Sequence, residues 1–544
     1  MWTDKFRKVS AEALWLIFLF FLSLGVKAYL LFEFPHVVFL NEADAMGYFA
    51  IAKSIINTWG LGDTSIHFPP FYPFVIAIAS LLTGEFEIAG RVVSCIMGSL
   101  LAFPIYLIGR ELYGKRVGLL SAIVAIFLGT FVDLSLQPLT QMTYILLLIT
   151  GIYLGIILIK SRSLTLHLLL GLTFGAAYLT RPEGLVPFAV VGMTVSIAAL
   201  NEPSLPIRRR VKSIFLMLLG FSVLALPYIN YLHNQTGIWT ISGKSSAAVI
   251  GTDASARLLP GGKTLGEASH GKVGLGDLFP SPEAFLKTYW GNITRFAAII
   301  PDHFPVKYLI LAFSGLLFAI KSIFDAEKSL RKTIVLQIFI LLACLAAILP
   351  VFAFSGIGMA PSYFLPLFYL IILWFARGVA GVEDLFLNFM KNLTGSGFFE
   401  RIKKWSLLSF SVVLFFSYSS ILPVWNEMHS EDSRVYAASQ EFFLKDTGKW
   451  LKDNTSKDSA IMSRWSNMGF YADRKWVYIP DGEISEVVNY AKEHNVSHII
   501  IDSNAIPRRR PKLGALLNPS DFEGLRPVYV REKYWIRVII YKVL

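Results

Sequence analysis

The stretch AEALWLIFLFFLSLGVKAYLLF, residues 11–32, decides the fold. Lys5, Arg7 and Lys8 precede it, it outruns the apolar core of a cleavable signal peptide, and it lacks a small-residue cleavage site. It therefore reads as an uncleaved membrane span, with Lys27 near its outer end. Crossing about 30 Å of hydrocarbon takes about 20 helical residues. By that measure about eleven stretches qualify or nearly do, near residues 11–32, 89–110, 117–132, 138–159, 164–180, 184–200, 211–232, 305–323, 333–354, 362–380 and 405–425. Composition agrees: 54% of the 544 residues are apolar and only 16% charged, against roughly 25% charged in a soluble chain. A string of soluble domains is thereby excluded.

The net charge of +12 does not point to nucleic acid, because the basic residues fall between apolar segments instead of forming one patch. With the N-terminus cytoplasmic, the inner loops carry Arg110, Lys115 and Arg116, then Lys160 and Arg162, then Arg208, Arg209, Arg210 and Lys212. Later inner loops hold Lys328, Arg331 and Lys332, then Lys391, Arg401, Lys403 and Lys404, while short outer connections hold little beyond Lys53, Arg91 and Arg181. That bias is the positive-inside rule. It holds only if the apolar segment over residues 71–83 is too short to span and lies on or re-enters the surface. The expected location is the cytoplasmic (plasma) membrane.

Three pieces are then expected on the outer side: the loop 33–70, the Gly-rich loop 233–304, and a tail from residue 430. The tail reads as a small α/β domain, 430–544, distinct from the membrane module 1–429. Helices are expected over 442–451 and 484–494, and strands over 460–463, 476–479, 498–502 and 533–543. The fold class is thus mainly α, a polytopic helical bundle with a small extracytoplasmic α/β appendage. Cys95 and Cys344 lie in apolar runs, which leaves no disulfide framework and no paired-cysteine metal motif.

Chemistry could reside in a few places. Glu42 and Asp44 immediately precede an amphipathic helix bearing Tyr48; Asp44 either caps it or acts chemically. Pro69 and Pro70 fix an extended approach to the short apolar segment and put His67 at the membrane surface, as an anchor or a ligand. Asp133 falls at the outer end of a span, where an ionisable residue is costly and so a functional candidate. Gln137, Gln141 and Tyr144 follow on the next span, facing roughly one way. Arg181 could grip a phosphate or simply pair with Glu183, and Tyr363 opens a late helix at the same surface. Gly262-Lys263-Thr264 is no P-loop, since the leading glycine position holds Arg257. Arg508-Arg509-Arg510 reads as a solvated face or an anionic-lipid contact.

In this order the residues resemble the GT-C superfamily of polytopic glycosyltransferases. The branch most similar is glycosyltransferase family 39-like, with the protein O-mannosyltransferases and the lipid A aminoarabinose transferase. The likeness rests on Asp44 four residues before Tyr48, on Pro69-Pro70, on Asp133, and on Tyr363 with Pro366. It implies a polyprenyl-phosphate sugar donor, Asp44 as catalytic base, Asp133 as second acid, and, at the His67 position, a residue near a divalent metal. Glu42, Tyr48, His67, Gln141, Arg181 and Tyr363 become the expected donor or acceptor contacts. Three positions depart from the pattern: Ala45 and Gln141 where relatives carry Glu, and Ser362 where an Arg is expected. Arg181, Lys244, Lys263 or Arg295 would have to replace that Arg.

The implied reaction is physically coherent. A lipid phosphate leaves as an anion and needs cations more than a proton donor, whereas a hydroxyl acceptor needs one base. The expected function is transfer of a sugar to a lipid, glycan or protein hydroxyl, within a membrane whose lipids surround the bundle. The alternatives are a flippase of lipid-linked sugars or a solute transporter, and a non-catalytic binding relative. A carrier would show repeated halves with mid-membrane sites; no repeat is visible and the acids cluster at one surface.

Overall fold

The computed structural model describes residues 11–33, 43–62, 66–161, 163–243, 257–259, 262–264, 281–304, 306–325, 334–335, 365–394 and 407–544. The bundle opens with α1 (Ala11–Glu33), α2 (Ala43–Thr58), α3 (Phe71–Thr83), α4 (Phe86–Leu100) and α5 (Ala102–Tyr113). It continues with α6 (Lys115–Phe127), α7 (Gly129–Leu136), α8 (Gln141–Leu158), α9 (Leu164–Thr180), α10 (Leu185–Leu200) and α11 (Ile207–Thr236). The later helices are α12 (Pro282–His303), α13 (Val306–Asp325), α14 (Leu365–Thr394) and α15 (Leu407–His429).

Eight helices among the described residues are long and apolar enough to cross a membrane, counting α4–α5 as one. A ninth forms if α6 and α7, bent by 51°, are joined, and α9 is a shorter apolar helix of 17 residues. These match ten of the eleven expected stretches; the eleventh, 333–354, lies outside the described residues but for 334–335. The span expected over 117–132 is not one straight helix. Leu128 is extended, and Gly129 donates its N–H to Ser420 Oγ at 2.8 Å. A β-carbon on Gly129 would stand 2.2 Å from the Ser420 carbonyl oxygen, so α7 can turn there only with glycine. The short segment 71–83 is a 13-residue helix, too short to span.

Three of the segments flanking the expected inner loops meet at one end of the bundle. Glu12 pairs with Arg110 and Lys115, Arg116 with Glu383 and Asp384, and Lys160 with Glu111. The described parts of the loops expected outside meet at the other end. There Tyr231 donates to the Gly62 carbonyl at 2.8 Å, and Tyr178 to that of Ile241 at 2.9 Å.

The tail begins with α16 (Glu431–Glu441), which passes through a π turn at Phe442–Asp446 into α17 (Thr447–Asn454). Then follow β1 (Ala460–Ser463), α18 (Ser466–Ala472), β2 (Lys475–Tyr478), α19 (Ile484–Glu493) and β3 (Val496–Asp502). The chain closes with β4 (Leu525–Lys533) and β5 (Ile536–Val543). The sheet order is β2-β1-β3-β5-β4, with β1, β2 and β3 parallel and β5 antiparallel to both neighbours. The strand expected over 533–543 is in fact the second arm of a hairpin whose turn holds Tyr534 at a φ of 58°. Alternation alone did not reveal β4, whose outward face is charged.

The α/β domain does not hang free. Phe470 packs on Phe49 of α2 with ring centroids 5.7 Å apart, Lys53 Nζ meets Asp473 Oδ1 at 2.6 Å, and Lys445 meets Glu87 at 3.3 Å. The ammonium of Lys53 holds the Asp473 carboxyl below the usual carboxylate range. A lowered folded value means the pairing stabilises above the ordinary carboxylate pKa and is lost as pH falls through the folded value. Both groups are about two-fifths exposed, 43% and 39%, so the contribution is at most about 1 kcal/mol. Asp473→Asn should remove only the acid-side part of the unfolding profile. An unchanged profile between neutral and acid pH would refute the latch.

Candidate functional site

At the end where the outer loops gather, α2 starts with Asp44 in its first turn, solvent-exposed, and Tyr48 one turn on, buried. The apolar face of α2 seats against α3 and α4. Tyr48 meets the rings of Phe68 at 5.1 Å and Tyr72 at 5.4 Å, both edge-on. Tyr72 in turn donates to the Gly90 carbonyl at 3.0 Å and meets Ser94 Oγ at 2.9 Å. Gly47 exists for this packing, since a β-carbon there would lie 2.4 Å from the Phe68 ring. His67, one residue before that ring, is thus brought against α2 at half-burial.

The α7–α8 corner closes on the same place. Gly90 lies between the two segments: a β-carbon on it would stand 2.9 Å from Pro138 and 3.0 Å from Phe49. Pro138 follows Asp133 by five residues and Phe49 follows Asp44 by five, so both acids belong to segments converging on one glycine. Asp133 is half-buried and accepts from Gln137 Nε2 at 3.0 Å, one turn along. Thr140, at the start of α8, has its hydroxyl within hydrogen-bonding reach of the Tyr48 phenol. Burial, and secondarily the charge of Asp44, push the Tyr48 phenol well above its ordinary value, so it stays a neutral donor.

Arg181 arrives from the end of α9. Its guanidinium lies 5.8 Å from the Tyr144 ring centroid, meets Glu183 at a long 3.4 Å, and is close enough for its charge to act on Tyr48. The amide oxygen of Gln141, one turn before Tyr144, is buried without a hydrogen-bond partner among the described residues. The structure therefore gathers Asp44, Tyr48, Gln141 and Arg181 around the start of α8, with His67 and Asp133 on the segments beside them. Glu42 and Tyr363, like Ser362 and Lys244, lie outside the described residues. Of the other cations, Arg295 is exposed on α12 and Lys263 is exposed beside the α/β domain.

Among the described residues no three His, Cys, Asp or Glu side chains converge as a metal-ligand set, and His67 is part of none. Two participants escaped sequence reading. Thr140 carried no signal beyond a loop hydroxyl, and Phe68 no signal beyond the proline pair that follows it.

Residues 67–230 match the sequence profile of the dolichyl-phosphate-mannose-protein mannosyltransferase family, a segment that holds Asp133, Gln141 and Arg181 but not Asp44. No curated protein sequence matches the chain in direct comparison. Among solved structures it is similar to ArnT from Cupriavidus metallidurans bound to undecaprenyl phosphate, at 12% identity over 96% of this chain and 97% of that one, with a TM-score of 0.55. It is also similar to the Archaeoglobus fulgidus oligosaccharyltransferase in the apo form, at 13% identity over 90% of this chain and 70% of that one, with a TM-score of 0.52. Along nearly its whole length the chain thus shares the fold of these solved structures, that of the GT-C glycosyltransferase superfamily.

Proposed function

We propose that the protein transfers a sugar from a polyprenyl-phosphate carrier to a hydroxyl of a lipid, glycan or protein, at the bundle end that carries Asp44. The observation that supports this best is the joining of a solvent-exposed carboxylate on α2 to a guanidinium from α9 around one buried tyrosine. ArnT, similar in fold along nearly its whole length, was crystallised with undecaprenyl phosphate. In this reading Asp44 accepts the acceptor's hydroxyl proton while the acceptor oxygen bonds the anomeric carbon. The bond from that carbon to the phosphate oxygen breaks, and its electron pair stays on the phosphate. Attack opposite the leaving group inverts the anomeric centre, by analogy with inverting hydrolases. Asp133 serves as the second acid, orienting the acceptor or the sugar.

Arg181 takes the place of the arginine that position 362 lacks. A phosphate can accept two parallel N–H bonds from its guanidinium, a bidentate, charge-assisted match that a lysine cannot reproduce. Arg181→Gln should raise KM for the lipid donor by about tenfold or more, with Arg181→Lys recovering part of it. Equal donor KM in all three proteins would remove Arg181 from the phosphate. The parent assay is sugar release from a radiolabelled polyprenyl-phosphate sugar. Release with a hydroxyl acceptor supports transfer, binding without release points to a silent relative, and movement across the bilayer without cleavage points to a flippase.

A further inference from the structure

An open groove of about 470 Å³ runs between α1 and α15. Only 28% of the α1 span and 22% of the α15 span are buried inside the protein, so both helices face lipid along much of their length. Phe21, Leu22 and Val26 of α1 and Ile421 of α15 form the sides of the groove. A β-carbon on Gly25 would meet nothing within 4 Å, so the glycine leaves the floor open. Tyr29 and Trp425 stand at one end, their rings parallel to within 12° and their centroids 6.0 Å apart. Behind them Leu30 and Trp425 pack with Val132, the residue before Asp133. The groove therefore backs onto the segment that carries that acid.

Size and charge narrow the occupant. The groove follows α1 from Phe21 to Leu30, about 13 Å at 1.5 Å per residue. A helix of that length, with its side chains, fills roughly 1,000 Å³, over twice the space present, so a second copy of a span cannot sink into it. A single hydrocarbon chain can, and an apolar groove holds no water in its stead. The charge at the mouth then selects among lipids. Glu33, exposed at the end of α1, lies on one stripe with Leu22, Val26 and Tyr29. The end of α15 adds Glu427, exposed, and His429, whose ring lies 4.3 Å from that of Trp425. The last two turns of these helices hold one Lys and no Arg. That residue, Lys27, is 1% exposed and turned into the bundle against Gly98 of α4. An anionic headgroup is repelled at such a mouth, and an ammonium is drawn to it.

We infer that this groove binds one acyl chain of an amine-bearing, zwitterionic glycerophospholipid, with the lipid's ammonium at Glu33. The chain lies over Gly25, and the rings of Tyr29 and Trp425 flank it below the headgroup. The site is a lipid site on the outside of the bundle and does not rest on the assignment of the transfer centre.

The test uses the full chain in detergent micelles doped with phosphatidylethanolamine brominated on one acyl chain, which quenches nearby tryptophan. The chain holds 12 tryptophans, and the part of the quenching lost in Trp425→Phe reports the groove. That part should saturate at about fivefold lower mole fraction of brominated phosphatidylethanolamine than of brominated phosphatidylglycerol, the effect of one charge near a membrane surface. Glu33→Gln should keep the quenching and erase the preference. Gly25→Leu, whose side chain enters open space, should abolish the Trp425 part and leave the melting profile as it is. Should Gly25→Leu fail to fold, Glu33→Gln decides. Equal saturation by the two lipids in the wild type, or undiminished quenching in a folded Gly25→Leu, would overturn the site. Displacement by polyprenyl phosphate at lower mole fraction than by phosphatidylethanolamine would give the groove to an isoprenoid tail instead. Loss of the Trp425 part as the protein dimerises would give it to a second copy.

Discussion

Asp44→Asn is expected to lower sugar transfer by about 10²–10⁴-fold while leaving the protein folded. The amide keeps the shape of the side chain and removes only its capacity to take a proton. Asp44 is exposed in the first turn of α2, so its replacement empties no packed volume, and Tyr48, Phe49 and Ile51 behind it keep the helix seated. Donor binding should persist, since the phosphate is assigned to Arg181 and not to a carboxylate. The informative pattern is a collapse of kcat with donor KM little changed, beside an unaltered melting profile in detergent. Turnover at the wild-type rate would remove Asp44 as base and leave Asp133 as the carboxylate to test. A fall in stability matching the fall in rate would make Asp44 a helix cap and nothing more.

The second large effect is structural. Helices α9 and α11 meet backbone to backbone through two glycines. A β-carbon on Gly171 would stand 2.0 Å from the Met217 carbonyl oxygen and 2.8 Å from the Phe221 nitrogen. One on Gly220 would stand 2.5 Å from the Leu168 carbonyl oxygen. Real contacts of this kind do not fall below 3.0 Å, so Gly171→Ala must part the helices by about 1 Å. Overpacking of this sort costs about 1–3 kcal/mol. It also moves the end of α9, where Tyr178 is bonded to Ile241 and where Arg181 emerges. Gly171→Ala should therefore lower both the midpoint of thermal unfolding and the affinity for the lipid donor. Gly192→Ala is the matched control, because its β-carbon makes only ordinary contacts, 3.4 Å from the flexible tip of Met217 and 3.7 Å from the Phe188 ring. Equal midpoints for the two variants would contradict the close seam.

Part of this was open to reading from residue order alone. Span length and the placement of Lys and Arg depend on the bilayer acting on each segment separately, and short-range patterns therefore carried the helix count and the sharing of bundle ends. The 71–83 helix was recognisable as too short for the same reason. Asp44, Tyr48 and Arg181 stood out because charged and amphipathic residues beside apolar runs are few. The break at Leu128 was not readable, because it depends on Ser420, nearly 300 positions away, offering a hydroxyl to Gly129. Nor was β4, whose alternation is masked by Arg526, Arg531, Glu532 and Lys533 on an edge strand.

Residue order alone dictates a membrane bundle with a polar α/β appendage, since hydrocarbon thickness and charge placement act on single segments. It takes the folded packing to close the segments bearing Asp44 and Asp133 on Gly90 and to bring Arg181 to Tyr48. Each of those meetings joins residues far apart in the chain. Close packing of side chains and unshielded backbone, which no local pattern encodes, fixes where they fall.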